Sequence, residues 1–180
     1  MANFGNIVNW VLRLEDRTLA GKTVDLKDGA GFTRFGLTSK NFGSMLPANY
    51  FNDYYGLQRM SNDEAIQEAD SIYWQEFWVP MRCTDIASDA IASELMSFGV
   101  NESVSTVVKM VQWLLSLPQD GVMGRQTLSA LQAQDPNKAS IAIREAQETR
   151  YQNLVKSNPA NQRFLRGWEN RAGAIFPDLP

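Results

Sequence analysis

The sequence predicts a mainly α-helical protein with one small β-hairpin next to its first helix. Apolar residues recur at the 3.6-residue spacing of helices in several segments, beginning with residues 4–15. Residues 22–38, by contrast, alternate residues that favour strands with residues that favour turns. The chain has 180 residues, of which 44% are hydrophobic, so it can bury a substantial core as a globular protein.

The first predicted helix ends in a carboxylate on its apolar side. Five residues at helical spacing form this side: Phe4, Ile7, Val8, Val11 and Leu12. Glu15 follows Val11 by four residues and Leu12 by three, so it continues the apolar face instead of pointing to water. A carboxyl group among apolar side chains tends to keep its proton, as a general acid must near neutral pH. The alternative is that the helix frays at its end and Glu15 reaches solvent.

The segment that follows Glu15 predicts a small polar hairpin. Residues 22–25 lead into a turn at residues 28–31, and residues 32–35 lead back. Helix and hairpin would then hold a Glu, an Asp and a Thr around one cleft. This order resembles the phage lysozymes of the T-even type, in which a Glu ends the first helix and an Asp and a Thr lie on a small sheet.

A closer resemblance is to glycoside hydrolase family 108, the phage and bacterial N-acetylmuramidases with a C-terminal peptidoglycan-binding region. Its signature runs Glu-Gly-Gly-Tyr, a spacer, then Asp-x-Gly-Gly-x-Thr-x-x-Gly-Ile-Thr/Ser. The residues of this chain that fall on the signature are Glu15, Asp28, Gly31, Thr33, Gly36 and Thr38. Leu37 stands at the Ile position, whereas residues 16–18 replace Gly-Gly-Tyr and Ala30 replaces the first Gly of the pair.

Capping and stop signals mark the later helices. Ser61 with Glu64 forms a capping box that opens one helix, which Pro80 would end. The remaining signals are a cap at Thr84-Asp85, an apolar stripe from Val104 to Leu115 stopped by Pro118, a cap at Asn137 for a helix over 138–156, and a last helix after Asn158-Pro159.

The second half of the chain also resembles family 108. Residues 120–128, DGVMGRQTL, match the pattern Asp-Gly-x-x-Gly-x-x-Thr-Leu of peptidoglycan-binding modules. We expect Asp120 to bond its own backbone in a tight turn, and not to act as a catalytic carboxylate. Residues 150–171 resemble the elements that close proteins of this family.

We expect one lysozyme-like domain with two lobes over residues 1–180, because the sequence has no repeat, no low-complexity segment and no linker. Residues 1–98 would form the catalytic part. Residues 99–180 would form the peptidoglycan-binding-like helical part.

The resemblance implies hydrolysis of the β-1,4 bond between N-acetylmuramic acid and N-acetylglucosamine in peptidoglycan. Glu15 would be the general acid. Asp28 would be the general base for water, or an electrostatic partner of the transition state. Asp25 is the alternative second carboxylate, since the register of the hairpin decides which of the two faces the cleft. Thr33 would position the water or bond the substrate.

Two further substrate contacts are predicted. Arg34 would bind an acidic group of the glycan, or else pair with Asp25 or Asp28. Tyr54 would contact sugar as part of an aromatic cleft wall. The aromatic residues that cluster there are Tyr50, Phe51, Tyr54 and Tyr55, for which core packing of the loop is the alternative.

The composition argues against several other functions. The chain has no His, which excludes Ser-His-Asp and Cys-His catalysis and argues against zinc amidase chemistry. The net charge of −3 gives no support for nucleic-acid binding. Cys83 is the single Cys, so no intrachain disulfide can form. No apolar run is long enough for a membrane span, and no metal or organic cofactor is expected.

We expect a bacteriolytic monomer that is made in the host cytoplasm without a signal peptide and reaches the wall after release, as a phage endolysin does. Its partner would be bacterial peptidoglycan. Two rival functions stay open. A lytic transglycosylase uses one Glu and forms an anhydro product, and a non-catalytic peptidoglycan-binding or phage structural protein would have no use for Glu15.

Overall fold

The computed structural model describes residues 1–25, 27, 29–51 and 58–178. These residues form eight α-helices and a three-stranded antiparallel sheet, which confirms the predicted mainly α-helical class with a small β element after the first helix. The helices are α1 Phe4–Glu15, α2 Ser39–Phe42, α3 Asn62–Tyr73, α4 Asp89–Asn101, α5 Val104–Leu114, α6 Arg125–Gln132, α7 Pro136–Ser157 and α8 Gln162–Ala172. The strands are β1 Val24–Asp25, β2 Phe32–Arg34 and β3 Leu37–Thr38.

The chain divides into two compact units. The larger unit contains Met1–Val11 and Glu76–Pro180, and the smaller unit contains Leu12–Gln75. The lobe boundary expected from the sequence, between residues 98 and 99, lies inside α4. None of the helices in the described part of the chain is long and apolar enough to cross a membrane.

The sheet of the smaller unit has β2 at its centre. Thr33 pairs with Val24 of β1 on one side and with Thr38 of β3 on the other. A two-residue turn of Phe35 and Gly36 joins β2 to β3, and both residues have positive φ, 48° and 76°. This is the backbone of a type I′ hairpin, in which Phe is an unusual first residue. The sequence predicts the first hairpin but not β3, because Phe35 is not a residue typical of such a turn.

The helix boundaries of the smaller unit follow local capping. Ser61 and Glu64 form the predicted capping box at the start of α3. Thr38 caps α2, since its hydroxyl oxygen accepts from the amide of Asn41. After Tyr73 the chain does not continue as α-helix to Pro80, as the sequence analysis predicted, but forms a π-helical segment over Trp74–Trp78.

Two predicted helix starts in the larger unit are wrong. Residues Cys83–Asp85 form a 3₁₀ turn, and α4 begins later with Ser88 as its cap. Helix α7 is capped by Asp135 instead of Asn137, and Pro136 takes the first helical position. Proline suits that position because the backbone N–H of a first helical residue has no acceptor within the helix. No hydrogen bond is therefore lost when proline lacks this group.

The core of the larger unit is organised around Tyr151 of α7. Its side chain is fully buried, and its hydroxyl oxygen accepts hydrogen bonds of 2.7 Å from Asn101 and from Gln147. Its ring stacks on Trp168 of α8 with the ring centroids 5.2 Å apart. Helices α4 and α8 are therefore held on α7 by one side chain.

The predicted turn at Asp120 is confirmed. The Asp120 carboxylate accepts from the amide of Val122 at 2.9 Å and from the side chain of Gln112 at 2.6 Å, and Gly121 has a φ of 78°. The hydrogen bond from Gln112 and the backbone hydrogen bond from Val122 hold the pKa of this carboxyl below its usual value. Asp120 is thus a structural carboxylate.

Candidate active site

The smaller unit contains a cleft with a volume of about 510 Å³ at the carboxyl end of α1. The end of the helix, the loop that follows it, and the sheet with its Phe35-Gly36 turn all contribute to its wall. The lining residues are Glu15, Asp16, Arg17, Thr18, Ala20, Lys22, Val24, Thr33, Arg34, Phe35 and Gly36.

Glu15 is the last residue of α1, and its side chain is half-buried at the cleft. The helix is intact up to this point, since the amide of Asp16 still donates to the Leu12 carbonyl at 2.8 Å. The fraying alternative is therefore wrong. The predicted apolar face is buried at Ile7, Val8, Val11 and Leu12. Packing of that face fixes the rotation of the helix and with it the direction of Glu15.

Gly36 packs directly against the carboxyl group of Glu15. A β-carbon added at Gly36 would lie 2.6 Å from Cγ of Glu15, 2.8 Å from its Cδ and 2.5 Å from the hydroxyl oxygen of Tyr73. Only glycine fits such a close approach. The sequence analysis placed Gly36 in a motif without this role, because the contact joins the turn to a helix about twenty residues earlier.

The turn that carries Gly36 is held in a strained backbone. Phe35 has a φ of 48°, which costs about 1–2 kcal/mol for a residue with a side chain. The buried hydroxyl of Tyr73 donates to the Phe35 carbonyl at 2.9 Å. This hydrogen bond anchors the turn from α3, so Tyr73 positions the residue that confines Glu15.

Thr33 lies on the cleft side of β2. Cross-strand partners share one face of a sheet, and Val24, the partner of Thr33, also lines the cleft. The Thr33 hydroxyl oxygen is buried and has no hydrogen-bond partner within the described part of the chain. A buried hydroxyl without a partner is costly, and it is suited to hold a water molecule or a substrate hydroxyl.

Asp25 lies on the opposite face of the sheet from Thr33. It pairs with Phe32, it is exposed, and it does not line the cleft. Its carboxylate accepts from the amide of Lys27 at 2.9 Å, which stabilises the turn after β1. The structure therefore does not bring Asp25 together with Glu15. Asp28, like Tyr54, lies outside the described residues.

Asp16 lines the cleft beside Glu15, and the sequence analysis did not select it. Its carboxylate accepts from the amide of Gly21 at 2.7 Å and from the Thr18 hydroxyl at 3.1 Å. Both oxygens are thus used to shape the loop between α1 and β1. Glu15 is the other carboxylate among the described lining residues of the cleft.

Arg34 is not placed as the sequence analysis predicted. Its side chain is only 1% exposed, and its guanidinium donates to backbone carbonyls and to Asn62 instead of to Asp25. The carbonyl acceptors are those of Gly21 at 3.0 Å, Tyr50 at 2.6 Å, Met60 at 3.1 Å and Ser61 at 3.2 Å. Burial of the guanidinium lowers the pKa of Arg34 below its usual value. Arg34 therefore joins the cleft wall to the neighbouring segments through hydrogen bonds.

Two of the four aromatic residues after the sheet lie in the core. Tyr50 is fully buried and Phe51 is 5% exposed, and their rings meet edge to face with centroids 4.8 Å apart. Core packing is confirmed for both, and the cleft-wall interpretation of these two residues is wrong. Tyr55, like Tyr54, lies outside the described residues.

Two exposed cations, Arg17 and Lys22, stand at the rim of the cleft. They give its mouth a positive character next to the acidic pair formed by Glu15 and Asp16. Cations placed at a cleft mouth raise the local concentration of an anionic polymer. Residues 13–40 contain six Lys and Arg against four Asp and Glu, but the sequence alone does not show which of these cations share the rim of one cleft.

Comparison with known proteins agrees with the resemblance seen in the sequence. The family model described as Glycosyl hydrolase 108 matches residues 8–102, and the model described as Predicted Peptidoglycan domain matches residues 106–173. The solved structure of SagA from Brucella abortus has a similar fold, with a TM-score of 0.64 and 22% identity over 97% of this chain and 96% of that chain. No curated protein matches. The first family model spans more than half of the chain, so this protein belongs to glycosyl hydrolase family 108 and is a glycoside hydrolase that acts on peptidoglycan.

Proposed function

We propose that the protein is an N-acetylmuramidase, which hydrolyses the β-1,4 bond between N-acetylmuramic acid and N-acetylglucosamine. One observation carries this proposal. Glu15 is held half-buried at the end of α1, in the same cleft as the buried hydroxyl of Thr33, which has no hydrogen-bond partner among the described residues. A positioned carboxylic acid and a group that orders water are what hydrolysis of a glycosidic bond requires.

Glu15 acts as the general acid in this proposal. Its carboxyl group donates a proton to the oxygen that leaves as the glycosidic bond breaks, while positive charge develops on the sugar ring. The close packing of Gly36 limits the rotamers that Glu15 can adopt. A fixed direction of the proton donor avoids the loss of rate that follows from a misplaced group.

Water attacks the sugar carbon in the second part of the reaction. Thr33 binds this water through its hydroxyl oxygen, and Asp28 removes the proton of the water or stabilises the positively charged ring. The family signature supports Asp28 in this role. Asp25 is disfavoured, because it faces away from Thr33 and already accepts from the Lys27 amide.

A lytic transglycosylase is the second candidate. Among the described lining residues the carboxylates are Glu15 and Asp16, and Asp16 is occupied by the loop. A cleft with one Glu among its described lining residues suits a reaction in which the muramic acid attacks itself and no second carboxylate is needed.

Product analysis tests the proposal. Wild-type protein is incubated with purified peptidoglycan, and the fragments are analysed by mass spectrometry. We expect reducing N-acetylmuramic acid ends, and we expect Asp28→Asn to release far fewer of them. Anhydro ends, with Asp28→Asn fully active, would establish the transglycosylase. Reducing N-acetylglucosamine ends would show a glucosaminidase.

The cellular role that we propose is that of a phage endolysin, a monomer made in the cytoplasm and released to the wall. Cys83 is buried as a free thiol, so the fold needs no disulfide and can form in a reducing compartment. Expression in a bacterial host with and without a holin tests this role. We expect rapid lysis only when both proteins are made, whereas lysis without a holin would show another export route.

A further inference from the structure

We infer that Tyr73 is a positioning residue of the reaction, whose hydroxyl group holds Glu15 in the direction from which it donates its proton. This inference rests on the proposed function, since it takes Glu15 as the general acid. Tyr73 is the last residue of α3, and its side chain is fully buried in the smaller unit. It is not one of the residues that line the cleft, so it acts on the reaction through Glu15.

The Tyr73 hydroxyl and the Glu15 carboxyl group meet at one point beside the turn between β2 and β3. A β-carbon built on Gly36 would have three nearest atoms, and all of them belong to these two side chains. The hydroxyl oxygen of Tyr73 would lie 2.5 Å from it, and Cδ of Glu15 would lie 2.8 Å from it. Gly36 is therefore close to both side chains at once, and a movement of either one changes the space left for the other.

The same hydroxyl fixes the backbone of this turn. It donates to the Phe35 carbonyl at 2.9 Å, and Phe35 has a left-handed φ of 48° that a bulky residue rarely adopts. Without this hydrogen bond, the turn can relax towards a backbone that Phe35 prefers. Because Gly36 is the next residue, such a relaxation shifts it against the side chain of Glu15.

The helix that carries Tyr73 changes form directly after it. Residues Trp74–Trp78 form a π-helical segment in place of a further α-helical turn. Segments of this kind are rare in proteins and are frequently found at functional sites. Backbone strain of the kind seen at Phe35 also concentrates at active sites. Two uncommon backbone features are therefore attached to the one side chain that lies next to Glu15.

A second buried tyrosine of the same unit provides a matched comparison. The Tyr50 hydroxyl donates to the carbonyl of Arg34 at 3.3 Å, so two fully buried phenols bond consecutive carbonyls of the chain. The Tyr50 hydroxyl is not among the three atoms nearest to a β-carbon at Gly36, whereas the Tyr73 hydroxyl is. Loss of either hydroxyl removes a buried hydrogen bond, but loss of the Tyr73 hydroxyl also opens space beside Glu15.

Initial rates at a series of peptidoglycan concentrations test the inference, with the release of soluble fragments as the signal. We expect Tyr73→Phe to lower the maximal rate by about tenfold to 10²-fold, because a misdirected catalytic group loses rate steeply. The half-saturating concentration should stay within about twofold of the wild-type value, since the cleft lining that binds substrate is unchanged. Tyr50→Phe is the matched control and should keep both values.

Thermal unfolding separates this effect from a general loss of stability. Each variant lacks one buried hydrogen bond, so the Tm of each should fall by about 2–4 °C. A loss of stability alone would lower the rates of both variants to the same extent. An unchanged maximal rate of Tyr73→Phe would overturn the inference, and so would equal falls in the maximal rates of Tyr73→Phe and Tyr50→Phe.

A double-mutant cycle tests the contact without any turnover. Gly36→Ala places a β-carbon against the Tyr73 hydroxyl, and Tyr73→Phe removes the nearest of the three atoms that it would meet. We expect Gly36→Ala to lower the Tm less in the Tyr73→Phe background than in the wild type, because residues in contact do not act additively. In the Tyr50→Phe background, Gly36→Ala should keep its full effect. Additive losses in both backgrounds would show that the hydroxyl does not pack at this point, which contradicts the inference.

Failure of this inference is distinguishable from failure of the proposed function. The proposed function is contradicted by the chemistry of the product ends, or by undiminished release of fragments by Glu15→Gln. The inference is contradicted by the rate of Tyr73→Phe relative to Tyr50→Phe, or by the cycle with Gly36→Ala, while Glu15→Gln remains inactive.

Discussion

At the scale of single residues, Gly36 meets two requirements at once. Its φ of 76° favours glycine, and an added β-carbon would overlap the carboxyl group of Glu15. We expect Gly36→Ala to lower the rate of peptidoglycan clearing by about 10²-fold or more, because Glu15 must move aside. Thermal unfolding and initial rates measure the two effects.

Gly29→Ala is the control for the backbone cost alone. Gly29 has a φ of 86°, but a β-carbon there would meet no atom of the described residues within 4 Å. Both variants should lose about 1–2 kcal/mol of stability from the left-handed backbone. Only Gly36→Ala should lose further stability from the overlap. Equal stabilities of the two variants would contradict the close contact with Glu15.

Thr33 allows a test that separates stability from activity. Thr33→Val keeps the shape of the side chain and removes a buried hydroxyl that has no partner among the described residues. We expect the variant to be at least as stable as the wild type, because an unpaired buried hydroxyl costs about 1–3 kcal/mol. Its clearing rate should fall by about 10²-fold, and Thr33→Ser should restore most of it. Full activity of Thr33→Val would remove Thr33 from the reaction.

Sequence reasoning predicted the buried face of α1 correctly, since helical spacing is a local property that the residues of the helix itself define. The predicted role of Arg34 in binding the glycan was wrong, because the residues that surround its side chain are not local in the sequence. The carbonyls that bind its guanidinium belong to residues 13 to 27 positions away in the chain. A local pattern shows that a cation is present on a strand, and does not show that the fold buries it.

At the scale of elements, Arg34 joins β2 to three other segments: the loop before β1, the segment at Tyr50, and the start of α3. We expect Arg34→Lys to lower the free energy of unfolding by about 3 kcal/mol or more. An ammonium group cannot reach all of these acceptors, and each buried carbonyl left unpaired costs about 1–3 kcal/mol. Urea unfolding measures the loss.

Arg17→Lys is the control for this measurement, since Arg17 is an exposed arginine of the same unit. It should stay within about 0.5 kcal/mol of the wild type, as exposed substitutions usually do. If Arg34→Lys were equally harmless, Arg34 would not hold the cleft wall, and the predicted role in glycan binding would regain support.

The elements that sequence reasoning found are those with strong local signals. The capping box at Ser61 and the Asp120 turn are complete within four residues each, and both were predicted. Strand β3 was missed because Phe35 takes a left-handed backbone that its side chain disfavours. The hydrogen bond from Tyr73 supports that backbone from α3, 38 residues further along the chain.

At the scale of the whole molecule, the mainly α-helical class followed from periodicity, whereas the positions of the boundaries between the two units did not. Both unit boundaries, after Val11 and after Gln75, lie within continuous helical segments. No change of composition marks such a boundary, and only long-range packing creates it.

The stability of the molecule should depend on pH through Asp70 of α3. Burial raises the pKa of Asp70 from 3.8 to about 6, and its Oδ1 has no hydrogen-bond partner in the described structure. The folded state therefore binds the proton more tightly than the unfolded state. The contribution of Asp70 to stability is full below about pH 4 and is lost as the pH rises through about 6.

We expect Asp70→Asn to be more stable than the wild type at pH 7, by roughly 1–3 kcal/mol, because it removes a buried charge. The difference should shrink as the pH falls from about 6 to below 3.8, where the wild-type carboxyl becomes protonated in both the folded and the unfolded state. Thermal unfolding of both proteins across this range measures it. A difference that did not change with pH would show that Asp70 does not titrate in the folded protein.

We propose that Glu15 is the general acid of this peptidoglycan hydrolase. The most direct test follows the turbidity of purified peptidoglycan with wild type, Glu15→Gln and Asp25→Asn. We predict that Glu15→Gln lowers the clearing rate by about 10²–10⁴-fold with its fold intact by circular dichroism. Asp25→Asn, on the far face of the sheet, should clear almost like the wild type. Clearing by Glu15→Gln at the wild-type rate would contradict the account.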